Sequence, residues 1–293
     1  MPNTIQFAIA GAAGFVAPRH MHAIHSVGGD LVAALDPHDA VGRLDRFGYD
    51  VEFFTEPERF ERYLQRRRRT GNPIHWLSVC SPNYLHDDHV RMGLHAGANV
   101  LCEKPLVLSP WNLDQMSDWE LQTGKRVYTV LQLRLHPAVV ALKQALAAET
   151  NAFHEVRLVY STPRGCWYHR SWKGDVEKSG GLVTNIGIHL LDLLLFLFGP
   201  VREITMPRPS LDVAVGTFVF DHASVTWNLS IDPKNPPDRH LEVDGLEPVS
   251  FSHGFAELHD RVYANALAGV GCGIEDARPA VELAHKLRNG PYL

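Results

Sequence analysis

The feature that most constrains this chain is a short apolar run, Ile5 to Ala10, which leads directly into Gly11-Ala12-Ala13-Gly14-Phe15-Val16-Ala17 and then a helical stretch, Pro18 to Val27. Small residues at Gly11, Gly14 and Ala17 let a strand turn tightly into a helix and let the backbone approach a pyrophosphate at the helix N-terminus. Further apolar runs follow at Leu31 to Leu35, His75 to Cys80 and Asn99 to Cys102, with helical signals at Thr55-Glu56-Pro57-Glu58 and Ser109-Pro110. Such alternation predicts a parallel sheet covered by helices on both faces. Arg126 to Leu133 reads as a last strand or as the crossing into the next region.

From about Glu155 the pattern changes. Glu155 to Tyr160, Asp212 to Phe220, Ser224 to Ile231 and His240 to Val243 read as strands joined by turns, which predicts a largely antiparallel sheet. One long apolar helix, Gly181 to Phe198, interrupts them, and Ala256 to Ala268 and Glu275 to Leu287 close the chain as amphipathic helices. The expected fold is an α/β Rossmann domain over residues 1–125 followed by an α+β domain over residues 126–293 with an open, mainly antiparallel sheet. A chain of 293 residues is long enough for two cores.

A net charge of -5 with interleaved signs argues against nucleic acid or an anionic membrane as partner. The run Arg66 to Arg69 is read as a solvated helix end. Cys80, Cys102, Cys166 and Cys272 form no C-x-x-C pair, and no segment has the order of a signal peptide or the length of a membrane span, so a reduced, cytoplasmic protein is expected. The seventeen histidines, His20, His22, His25, His86 and His89 among them, come without convincing carboxylate or cysteine ligands, and no metal is expected.

Asp36 ends the second strand, where a carboxylate can accept both ribose hydroxyls of an adenosine and repel a 2'-phosphate. That favours NAD over NADP. Short-chain dehydrogenases share the glycine pattern but need Tyr-x-x-x-Lys, which is absent here. Ser81-Pro82-Asn83 to His86 follows a buried strand, and Glu103-Lys104-Pro105 follows another. On an ideal helix Asn185, His189 and Asp192 share one polar face.

Together the glycine turn, Asp36, the Ser81 to His86 stretch, Glu103-Lys104-Pro105 and Gly187-x-His189-x-x-Asp192 resemble the glucose-fructose oxidoreductase and inositol dehydrogenase family. The resemblance implies a Rossmann domain binding NAD through Gly11, Ala13, Gly14, Phe15, Val16, Asp36, Ser81, Pro82, Asn83, His86, Glu103, Lys104 and Gln132. It also implies a cis peptide before Pro105, a symmetric homodimer or homotetramer, and hydride transfer from a sugar carbon. His189 is the expected base and Lys104 the expected stabiliser of the developing oxyanion. Many family members have an aspartate where this chain has Asn185, so a Lys-Asp-His triad is not carried over whole.

Gly11 to His20, Leu131 to Pro137, and Arg164 to Tyr168 with Ser171 to Asp175 further resemble the subgroup that oxidises the 3-hydroxyl of UDP-N-acetylglucosaminuronate for bacterial surface polysaccharide. That substrate carries a carboxylate and a pyrophosphate. Arg164, Tyr168, Trp172 and Lys173 would bind it together with Lys104, Asn185, His189 and His259, and Tyr263 shares a helix face with His259. A 2-oxo acid is the candidate hydride acceptor. Two alternatives stand beside this reading: a dehydrogenase of a free sugar or inositol, and a non-catalytic NAD-binding sensor. The first has no need of the cations between Arg164 and Asp175; the second need keep neither Lys104 nor His189.

Overall fold

The computed structural model describes residues 4–149, 152–207 and 209–290. Two compact units emerge, one of residues 1–130 and 257–277, the other of residues 131–256 and 278–293.

The first unit is built on a parallel sheet. Its strands are β1 (Gln6–Ala10), β2 (Asp30–Leu35), β3 (Glu52–Phe54), β4 (Trp76–Val79), β5 (Asn99–Cys102) and β6 (Val127–Thr129), in the spatial order β3-β2-β1-β4-β5-β6. Helices α1 (Ala17–Ser26), α2 (Pro57–Arg69), α3 (His86–His95) and α4 (Trp111–Thr123) make the connections. β4 is buried along its whole length and β1 and β5 nearly so, as expected of strands covered on both faces. Strand order reverses between β1 and β4, and in such sheets the crevice at the carboxyl ends of these strands receives ligands. Two helix starts differ from the sequence reading. Glu56 rather than Thr55 is the N-cap of α2, and α4 begins at Trp111 with Pro110 as its cap, so neither has a side-chain cap bond.

The second unit carries α5 (Pro137–Ala148), β7 (His154–Ser161), the short helices α6 (Trp167–Arg170), α7 (Val176–Ser179) and α8 (Gly181–Asn185), then α9 (Ile188–Phe198) and strands β8 (Glu203–Thr205), β9 (Val213–Val219), β10 (Ala223–Ser230), β11 (Asp238–Val243) and β12 (Val249–Ser250). The sheet order is β12-β11-β7-β10-β9-β8. The β7–β10 pair is parallel and the others antiparallel, which is the open, mainly antiparallel sheet expected. Leu190, Leu191 and Leu194 of α9 join Leu158, Phe218, Trp227 and Leu229 of the sheet in one core. The other face carries exposed Glu155, Arg157, Thr226 and Asn228.

Gly181 to Phe198 is not the single helix that the sequence suggests. The axis bends by 42° between Val176–Asn185 and Ile188–Phe198. Ile186 and Gly187 both donate their N–H groups to the Leu182 carbonyl, and a Cβ on residue 187 would lie 2.4 Å from the Val183 oxygen, so the break is compact and demands glycine. Asn185 therefore ends one helix while His189 and Asp192 sit on the next, and the shared polar face of an ideal helix is not formed. Among the described residues no single helix is long and apolar enough to cross a membrane.

Two helices complete the chain, α10 (Leu258–Leu267) and α11 (Ile274–Asn289). The division at residue 125 expected from sequence placed both in the second domain, whereas residues 257–277 belong to the first unit. The reason is local. Tyr263 packs against Phe7 of β1, with ring centroids 6.0 Å apart, and the Cys272 carbonyl accepts the N–H of Thr129.

In the second unit Asp192 is only 2% exposed and receives two arms of Arg134, from Nη2 at 2.7 Å and from Nε at 3.1 Å. Arg134→Ala would take this guanidinium away from the buried carboxylate. The expected loss is ~3–5 kcal/mol in chemical denaturation; a loss below about 1 kcal/mol would show that the pair holds nothing together.

Candidate active site

At the carboxyl end of β1 the chain turns through Gly11 with φ 89°, and a Cβ there would meet the Ser81 nitrogen at 2.5 Å and the Cys80 carbonyl carbon at 2.6 Å. Two backbone segments thus touch at the switch point, which only glycine permits. Asp36, buried at the end of β2, accepts the Ala13 N–H on one oxygen at 2.8 Å and the His38 N–H on the other at 2.9 Å. These bonds fix the carboxylate, and each oxygen retains a lone pair that a ribose hydroxyl can use. The N-cap of α1, Val16, offers no side-chain bond to the first-turn N–H groups, which suits an anion there, and Phe15 stands 86% exposed beside it. The turn therefore fits a dinucleotide. Arg43, which the sequence reading passed over, reaches the Gly14 carbonyl at 3.4 Å.

The loop after β4 is more structural than the sequence implied. Ser81, Asn83 and His86 are buried. His86, expected to touch the cofactor, turns Nδ1 to the Pro105 carbonyl at 2.7 Å and Nε2 to the Ser81 carbonyl at 2.9 Å. It braces two loops, and both ring nitrogens are engaged. Burial lowers its pKa although the two carbonyls favour the protonated ring. Ser81 Oγ in turn meets His89 Nδ1 at 2.8 Å, and burial brings His89 down to about 4.

Glu103 and Lys104 follow β5, and the Lys104–Pro105 peptide is cis. Glu103 Oε1 lies 3.0 Å from His20 Nε2 and 3.3 Å from His259 Nε2, while Oε2 accepts the Lys104 N–H at 3.2 Å. Burial pushes the carboxyl up, but the bonds from His20 and His259 outweigh it and hold Glu103 well below the usual carboxylate range. Burial lowers the Lys104 ammonium and the Glu103 charge acts against that. His20 continues through Nδ1 to the Tyr263 hydroxyl at 2.8 Å, and Tyr263 to Ser78 Oγ at 2.7 Å. His259, expected to touch the sugar, is instead buried against Glu103, and its helix neighbour Tyr263 is 1% exposed. The ligand atoms of His20, Glu103 and His259 lie within 4.8 Å of one another, a metal-like set that the sequence reading missed because His20 and Glu103 are 83 residues apart.

In the second unit His189 is half-buried in the first turn of α9. Asn185 donates from Nδ2 to the Tyr168 hydroxyl at 2.7 Å, and both residues are buried. A cavity of about 390 Å³ is lined by Tyr168, His169, Lys173, Gly181, Leu182 and Arg288 among others. Of the four residues expected for the anionic substrate, Tyr168 and Lys173 border it and Arg164 and Trp172 do not; Lys173 Nζ lies 4.0 Å over the Trp172 ring. Arg288, on α11, was not anticipated. Gln132 sits in a 3-10 turn of the second unit, buried, with an Oε1 that has no partner among the described residues.

Family models match most of the chain: an oxidoreductase family model with an NAD-binding Rossmann fold over residues 5–131, and a GFO/IDH/MocA C-terminal domain over residues 140–245. The chain is similar to the WlbA (WbpB) dehydrogenase of Thermus thermophilus, solved with NAD and alpha-ketoglutarate, at 48% identity and TM-score 0.95, covering 99% of this chain and 96% of that one. The same enzyme solved with NAD and UDP-GlcNAcA matches at 47% identity and TM-score 0.95, with the same coverage. Among curated proteins, D-glucoside 3-dehydrogenase of Escherichia coli K12 is 30% identical over 133 residues, 42% of this chain and 35% of that protein. The matched parts span between 35% and 62% of the first four curated relatives.

Asp36→Ala removes the charge that repels a 2'-phosphate and leaves Arg43 near the turn. Titration of intrinsic fluorescence with NADH and NADPH is expected to show the preference for NADH falling by roughly tenfold or more. An unchanged ratio would take the discrimination away from Asp36.

Proposed function

Because the chain belongs to the GFO/IDH/MocA oxidoreductase family with an NAD-binding Rossmann domain, we propose that it oxidises the sugar 3-hydroxyl of UDP-N-acetylglucosaminuronate to the 3-keto sugar, a step toward bacterial surface polysaccharide. The observation that carries this reading is the near-full-length similarity, at 47% identity, to a dehydrogenase solved with NAD and UDP-GlcNAcA. The cavity bordered by Lys173 and Arg288 supports it, since a polyol has no charge for such cations to meet.

Bound NAD supplies the hydride acceptor. The chain's own residues then have the following roles. His189 takes the proton of the substrate hydroxyl. Lys104, as an ammonium, hydrogen-bonds the same oxygen and stabilises its developing charge. Asn185 is held by Tyr168 and orients a sugar hydroxyl through its amide without adding charge. Lys173, Arg288 and Arg164 meet the anionic groups of the substrate. A 2-oxo acid regenerates the oxidised cofactor, as the relative solved with alpha-ketoglutarate suggests. A homodimer or homotetramer through the polar face of the second sheet, in the cytoplasm, completes the reading.

The test is a comparison of UDP-N-acetylglucosaminuronate, UDP-N-acetylglucosamine and myo-inositol as substrates for NADH formation. The uronate is expected to lead both others in kcat/KM by roughly 100-fold, the worth of one or two charge-assisted bonds. Equal or better turnover of inositol would favour the free-polyol enzyme, and turnover of none would favour the sensor. His189→Ala should lower kcat by roughly 100-fold or more with NADH binding retained. Lys173→Ala should raise KM for the uronate about tenfold and leave NADH affinity unchanged; the opposite pattern removes Lys173 from the substrate site.

A further inference from the structure

The N–H groups of the glycine turn are largely used inside the protein. Gly11 and Ala12 both donate to the Leu35 carbonyl, at 2.8 and 3.2 Å, Ala13 donates to Asp36 Oδ2 at 2.8 Å, and Gly14 donates to the Gly11 carbonyl at 3.0 Å. Among the described residues only Phe15, Val16 and Ala17 keep theirs before Pro18, which has none. A dinucleotide brings a negative charge on each of its phosphates to this place. Residues 11–18 hold no cation to meet them. Arg19 follows on α1 with an exposed side chain, whereas Arg43 reaches the turn itself.

Arg43 lies on a short 3-10 helix, Gly42–Arg46, that follows β2. Its neighbour Leu44 anchors that helix: the side chain is buried, the N–H donates to the Val41 carbonyl at 2.8 Å, and the carbonyl accepts from Phe47 at 2.8 Å and Gly48 at 3.1 Å. From this fixed base the half-buried Arg43 side chain crosses to the Gly14 carbonyl. We propose that Arg43 is a cofactor-binding residue: its guanidinium meets a phosphate oxygen of the dinucleotide at the glycine turn and supplies the charge that the engaged N–H groups cannot. The inference rests on dinucleotide binding by the first unit and is independent of the sugar that is oxidised.

The contacts of Arg43 leave its charge and most of its donors for a ligand. A guanidinium has five N–H donors and is always charged. Here one of them makes a long bond, 3.4 Å, to the Gly14 oxygen. Among the described residues no carboxylate pairs with it: Asp39 and Asp45 of its own segment do not, and Asp36 turns its two oxygens to the Ala13 and His38 N–H groups. Since Asp36 is the group that faces the ribose, and a carboxylate repels a 2'-phosphate, the anion left for Arg43 is the pyrophosphate. A planar guanidinium suits phosphate oxygens, which it can meet with two parallel N–H groups.

The experiment is equilibrium binding of NADH and NADPH, followed by fluorescence at low and at high salt, in the wild type, Arg43→Gln, Arg43→Lys and Arg62→Gln. Arg62 lies on the exposed face of α2 and serves as a control for the loss of one charge far from the turn. Arg43→Gln should weaken NADH about tenfold at low salt and by less at high salt, where charge attraction is screened. Arg43→Lys should recover part of the loss, and Arg62→Gln should bind as the wild type does. Unchanged NADH affinity in Arg43→Gln would overturn the proposal. So would a loss that is equal at both salt concentrations and not recovered by lysine, which would mean that Arg43 only pins the Gly14 carbonyl. An equal loss in Arg62→Gln would assign the effect to net charge, and a loss confined to NADPH would place the guanidinium at a 2'-phosphate; either outcome also contradicts the assignment. Thermal melting of each variant shows that the fold is kept.

Discussion

A carboxylate at the carboxyl end of a buried parallel strand is tolerable only where donors surround it, and Glu103 at the end of β5 is 6% exposed. Its donors come from opposite ends of the chain: His20 from α1, His259 from α10 and the backbone of Lys104. This requirement accounts for why residues 257–277 belong to the first unit rather than to the half of the chain they follow in sequence. Tyr263 of the same helix adds its ring to the core beside Phe7 and its hydroxyl to His20, so burial of apolar area and satisfaction of the polar network arise from one segment. The backbone of Lys104 is tied to this same anion.

The second unit solves a parallel problem on an apolar helix. Asp192 is neutralised by Arg134, and Asn185 is tied to Tyr168, so of the three polar residues Asn185, His189 and Asp192 the first and last hold the helices in place. The bend at Gly187 separates α8 from α9 and sets His189 in the first turn of its own helix. Tyr168 links this region to the cavity bordered by Lys173 and Arg288, so the amide of Asn185 and the cations of the cavity are organised around one phenol.

Much of this was legible in the sequence because it is local. The glycine turn and Asp36 are strand-end features whose spacing reflects strand and helix lengths, and the two sheets follow from runs of different periodicity. The cis peptide before Pro105 came from the family resemblance alone. What sequence could not show depends on long-range partners. His86 and His259 have residue types that suit ligand contact, and only the folded positions of Pro105, Ser81 and Glu103 reveal the partners that they have inside the protein. His20 looked like one histidine among several because its carboxylate lies 83 residues away. The helix break is hidden because Gly187 also serves as a motif residue, and only the fold shows that a Cβ there would meet the Val183 oxygen at 2.4 Å. Arg288 and Arg43 carry no local pattern at all.

The proposed reaction removes hydride from the sugar C3 of a UDP-linked uronate. The most direct measurement uses UDP-N-acetylglucosaminuronate deuterated at C3, incubated with the protein and NAD, with the reduced cofactor analysed by mass spectrometry. Hydride removal from C3 predicts deuterated NADH together with a 3-keto sugar that has lost its label. Unlabelled NADH, or a product that retains deuterium at C3, would contradict it.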